Sequence, residues 1–150
     1  MFAFVFFAAS VIAAVIHSLV GTVNIVETFL FYFLVINVGG AGVFSFTGHF
    51  FRSDEVAGYI GWPAGNPFQK EVAFANLALG VLGFMCIWIR GQFWTATVVS
   101  ASVFLFGAAI VHIIEIKREG NLSPGNAGPI LFSDVGKPLV LIGLLIAHHV

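Results

Sequence analysis

Five long apolar stretches, interrupted by charge at only a few points, constrain this chain more than any motif in it. They cover about residues 2–20, 28–51, 71–89, 93–116 and 137–150. A helix needs about 20 apolar residues to cross the hydrocarbon core of a bilayer, and the first four stretches meet or approach that length. The last, opening at Lys137-Pro138, is short for a full crossing. It reads as a stub, a re-entrant piece or a span completed by partners, with Pro138 in a first helical turn where its missing N–H is harmless. Only 9% of the residues are charged and 59% are hydrophobic, whereas a soluble domain carries about 25% charge. So few charges cannot clothe a water-facing surface, so the solvent of this chain is lipid. The expected fold is all-α: one integral-membrane domain, residues 1–150, forming a polytopic helix bundle of four to five spans with two ordered loops on one face.

The N-terminus is apolar from its first residues and has no charged region ahead of them, so it reads as a retained first span rather than a secretory signal. A net charge of -1 and the lack of a basic block give no footing for nucleic acid. The single cysteine, Cys86, excludes an internal disulfide and a zinc-type cysteine spacing. Within an apolar span it reads as a buried, inert thiol.

The breaks set topology. Residues 21–26 and Arg90-Gly91-Gln92 are minimal connections that force antiparallel hairpins. Two longer connections, 52–70 and 117–136, carry the turn formers GWPAGNP and GNLSPGNAGP. With five spans, both long loops lie on the side of Met1, together with Arg52, Lys70, Lys117, Arg118 and Lys137, and only Arg90 lies opposite. The positive-inside rule then puts Met1 and both loops in the cytoplasm and Val150 outside, in a prokaryotic inner membrane. Gly39, Gly40 and Gly42, with Gly80 and Gly83 and with Ser100, Ser102 and Gly107, mark places where helix backbones approach closely. Trp62, Trp88 and Trp94 sit near span ends, as in an aromatic belt. Asn37 and Asn76 lie inside spans and read as hydrogen-bonding glue between helices.

The same topology brings ionisable groups to one depth. His49 ends the second span and Glu71 begins the third. His112 and Glu115, three apart on the fourth, share a helical face, and Asp134 precedes the last segment. Ionisable groups at membrane depth usually face a bundle interior or a wet cavity. One consequence would be a mononuclear site in which His49, Glu71, His112 and Glu115 bind iron, manganese or zinc, with or without redox chemistry. A ferritin-like di-iron centre would need two Glu-x-x-His pairs; here a single His-x-x-Glu is present. Alternatively, the same groups line a polar vestibule for protons or small solutes, with His112 as the titrating element. A third possibility is that the charges only mark where spans stop, while His49 and His112 hydrogen-bond to loop backbone and hold the segment GWPAGNPFQ in place. The small size and glycine-lined helices also suit a homo-oligomer or a structural subunit of a larger membrane complex. The loops lack a phosphate-cradling glycine motif, a nucleophile elbow and His-Glu-x-x-His, which argues against nucleotide use and serine hydrolysis and leaves open whether the chain is an enzyme. His17, Glu27, His148 and His149, at the other end, are too scattered to form a site.

The segments GHFF (48–51), IGWPAGNPFQKEVAFANLALGVLG (60–83), FWTAT (93–97), VHIIE (111–115) and NLSPGNAGP (121–129) together resemble a family of small prokaryotic membrane proteins known only as a domain of unknown function. The resemblance covers most of residues 27–145. It implies a multi-span fold and draws attention to the two long loops, and it carries no activity, cofactor or catalytic residue with it.

Overall fold

The computed structural model describes residues 2–150; Met1, which the charge distribution puts on the side of the long loops, lies outside the described residues. The fold is all-helical, with no strand among the described residues. Six helices follow in order: α1 (Phe2–Val20), α2 (Ile25–Phe51), α3 (Ser53–Ile60), α4 (Phe68–Met85), α5 (Gln92–Glu119) and α6 (Pro129–His149). By length and composition α2, α5 and α6 can each cross a membrane, which suggests a membrane protein. Helix α1 is apolar but shorter, and α4 opens with the polar run Gln69-Lys70-Glu71.

Three features depart from the sequence reading. Helix α6 starts at Pro129, not near Lys137, so it has 21 residues and is long enough to cross. The rule that proline favours a first helical turn holds, but for Pro129; Pro138 is a buried residue inside the helix. Having no N–H, Pro138 cannot answer the carbonyl of Asp134 four residues earlier. The second departure is α3, a short helix within the 52–70 connection. The third is in the middle of α2, where Phe33–Gly40 winds as a π-helix, a form found mostly as short insertions, frequently at functional sites.

Helix α2 is the central element. It starts at Asn24, whose side-chain oxygen accepts from Glu27 N–H at 3.1 Å, satisfying one of the free donors of a helix start. Its second half lies against α4 with backbone nearly touching backbone. A Cβ added to Gly83 would stand 2.6 Å from Gly39 Cα, and one added to Gly42 would stand 2.7 Å from Gly80 N. The two glycine pairs are thus the packing surface itself, as expected where helices in lipid gain from close approach. The first half of α2 joins α5 and α6 in a core of Leu30, Phe33, Leu34, Val38, Cys86, Trp94, Val98, Ala101, Leu141 and Leu145. Cys86 is fully buried there. Trp94 is buried too, its indole N–H donating to the Cys86 carbonyl at 3.0 Å, so it belongs to the core; Trp88, 76% exposed, fits a belt position. At this end of the bundle Arg90 pairs with Glu27 at 2.6 Å.

Candidate functional site

The opposite end carries both long connections, and the buried Gln69, His112, Asn126, Ser133 and Asp134 lie there. Helix α3 closes on Gly61, whose φ of 86° is a left-handed conformation that suits glycine. The chain turns there, and Trp62 N–H returns to the Ala57 carbonyl at 2.8 Å, as in a Schellman ending. This turn brings the Trp62 ring nearly parallel to the His112 imidazole, with centroids 6.1 Å apart and planes at 20°. The second connection locks onto the first. Asn121 donates its amide to the Ile60 carbonyl at 3.0 Å, and Gly125 N–H donates to the Tyr59 carbonyl at 3.1 Å. The two loops form one cap.

Asn126, fully buried, joins that cap to α5. Its amide nitrogen donates to the Asn121 carbonyl at 2.7 Å and to the His112 carbonyl at 3.3 Å. With both amide hydrogens committed to carbonyls, the side-chain oxygen is left to face His112 Nδ1, 2.7 Å away. An amide oxygen only accepts, so Nδ1 carries a hydrogen. The orientation is over-determined, because a flipped amide would set oxygen against two carbonyl oxygens. The other ring nitrogen, Nε2, looks at Asp134 Oδ2 across 3.7 Å. His112 is 6% exposed and Asp134 8%. A neutral imidazole protonated at Nδ1 would present a lone pair to a carboxylate, an acceptor facing an acceptor. One proton, on Nε2 or on the carboxyl, resolves the clash. Lys137, three residues along α6, supplies positive charge to Asp134.

The four residues expected to bind a metal do not assemble. His49 turns its Nδ1 to the buried Gln69, whose side-chain oxygen accepts at 2.7 Å. Glu71 is exposed and Glu115 half-buried; neither makes a side-chain hydrogen bond or ion pair within the described residues. Among those residues no group of three or more His, Cys, Asp or Glu side chains could hold a metal ion. Topology delivered these groups to one end of the bundle, but depth alone does not aim side chains, and each imidazole is committed to a carboxamide instead. The expectation that the histidines hold loop backbone in GWPAGNPFQ is met only in part: His49 holds that segment through the Gln69 side chain, and His112 holds the Asn126 side chain of the other loop. The asparagine reading needs correction. Asn76 donates to the Val72 carbonyl of its own helix at 2.9 Å, and Asn37 Nδ2 has no partner, so neither bonds between helices. Sequence reasoning missed the stacking of Trp62, which no local pattern announces. Gln69 was visible as a polar intruder beside an apolar run.

No curated protein and no solved structure matches this chain. A family model does, over residues 1–150. The chain belongs to DUF6790, a family of unknown function.

Proposed function

We propose that this is a proton-handling membrane protein, in which the His112–Asp134 pair takes up and releases one proton beneath a cap made of the two long loops. The observation that carries this is the contact of His112 Nδ1 with the Asn126 side-chain oxygen, whose amide is committed to two carbonyls. Asn126 occupies the Nδ1 hydrogen at 2.7 Å, so a proton can arrive or leave only on the Nε2 side, where Asp134 waits at 3.7 Å. Closing that distance to a hydrogen bond takes a side-chain movement of about 1 Å. The pair is buried, so an unbalanced charge on either partner is expensive; the shared proton balances the carboxylate when it is bound, and Lys137 supplies the opposing charge when it leaves. Arg52, Lys70, Lys117, Arg118 and Lys137 surround the cap end. This favours an inner-membrane orientation with the cap cytoplasmic, α1 and α4 crossing as well, and loading from inside. This reading keeps His112 as the titrating element of the vestibule expected from the sequence and gives it Asp134 as partner.

The test is proton uptake by purified protein in liposomes containing a pH-sensitive dye, under an imposed gradient. Asp134→Asn should lower the proton flux by about a hundredfold, the scale of a lost proton-transfer group. Native protein no more permeable to protons than empty liposomes would overturn the proposal.

A structural subunit of a larger membrane complex is the alternative. Gly107 and Gly143 favour it: both are exposed on long apolar helices, and a Cβ added to either would meet nothing within 4 Å. Small outward positions let another helix approach. Migration of the detergent-solubilised protein as a large assembly, with Gly107→Leu dissociating it, would support that role or lateral self-association.

A further inference from the structure

Among the described residues, the Asn37 amide nitrogen and the Ser102 hydroxyl, both inside the bundle, have no hydrogen-bond partner. Asn37 is 4% exposed and Ser102 5%. They are at matching depth. Asn37 lies ten residues beyond Glu27 and Ser102 ten residues beyond Gln92, while Glu27 and Arg90 are joined by an ion pair at 2.6 Å. At 1.5 Å per residue both stand about 15 Å below that level, half of a hydrocarbon core about 30 Å thick. Leu34, Val38, Val98 and Ala101, close to them in sequence, belong to one packed cluster, so both polar groups lie on helix stretches that contribute to the core. Asn37 sits within the π-helical stretch Phe33–Gly40, whose irregular winding changes which side chains face the core.

A buried donor without a partner costs about 1–3 kcal/mol, and buried polar groups are otherwise satisfied by protein or by ordered water. A partner for either group inside a packed core must be small, and it must accept from an amide at Asn37 and exchange hydrogen bonds with a hydroxyl at Ser102. We infer that Asn37 and Ser102 hold water at the middle of the bundle, and that this water relays protons between the His112–Asp134 pair and the far side of the membrane. The relay rests on the proton-handling proposal; the hydration does not. Ser102 lies ten residues, or about 15 Å of helix rise, from His112. That exceeds the reach of one hydrogen bond, so a mobile carrier is needed between them. Ser133 Oγ, beside Asp134, is likewise buried and unpaired and gives the pair its own contact for such a carrier.

Two measurements on the full chain in bilayers test this. Water-edited solid-state NMR should show rapid magnetisation transfer from water to the Asn37 side-chain amide, against slow transfer to Leu34 and Val38. In the liposome assay, Asn37→Leu and Ser102→Ala should each lower proton flux by about tenfold, the scale of one lost hydrogen bond. Asn37→Leu should meanwhile leave thermal stability unchanged or raised, which separates a relay role from damage to the fold. An Asn37 amide as dry as Leu34 overturns the inference. So does native flux in both variants where Asp134→Asn has lost it, and in that case proton loading at the pair still stands. If Asp134→Asn keeps native flux, the proton-handling proposal and the relay fall together.

Discussion

Between α2 and α4 the contact is backbone against backbone, with Gly42, Gly80 and Gly83 leaving no room for a side chain and Gly39 leaving little. Where α5 meets α6 and the loops, the contact is made by side chains, and Asn126, His112 and Asp134 meet through polar atoms. The first seam is specified by what cannot fit there, so any enlargement should be punished regardless of chemistry. The second is specified by which atom donates and which accepts, so a substitution of similar size can still break it. A bundle in lipid needs both devices. Apolar side chains gain little by leaving lipid for one another, and neither seam can rely on greasiness alone.

The largest effect should come from the steric seam. Gly83→Val places its Cβ against Gly39 Cα, and unfolding in mixed micelles should report a loss of about 3 kcal/mol or more; a loss below about 1 kcal/mol would mean the helices can slide apart freely. Asn126→Ala comes next. It strips partners from the His112 ring and from the His112 and Asn121 carbonyls, and at about 1–3 kcal/mol for a buried group left unmet the expected loss is about 2–3 kcal/mol. Trp62 fluorescence should shift in the same variant as the cap loosens, while Gly83→Val should move it less. Arg90→Ala is the smallest. Its ion pair with Glu27 involves side chains 57% and 38% exposed, and a screened surface pair is worth about 1 kcal/mol or less. A loss matching that of Asn126→Ala would show that the far end contributes more than its exposure allows.

The glycine seam was legible in the sequence because it repeats on both helices, and small residues in apolar helices have few other uses. The polar seam was only half legible. Sidedness brought His49, Glu71, His112, Glu115 and Asp134 to one end, yet which of them meet depends on loop conformation, and no spacing rule encodes that. Asn126 lies between Pro124-Gly125 and Gly128-Pro129, a frame of turn formers that marks a loop without naming the residue it meets. The start of α6 was misplaced because Ser133, Asp134 and Lys137 read as a polar boundary. In the structure Ser133 and Asp134 are buried, paired or packed against α5, and helix continues through them. The π-helical stretch of α2 left no trace in composition, since its residues are those of any apolar helix.

Pro138 sits four residues after Asp134 inside α6 and has no amide hydrogen to give the Asp134 carbonyl. The turn bearing the carboxylate is therefore already missing a rung of its ladder, and swivelling it breaks no further bond at that rung. Under the proton-handling proposal, the carboxylate that meets the imidazole thus sits on the turn of α6 with one backbone restraint fewer than its neighbours.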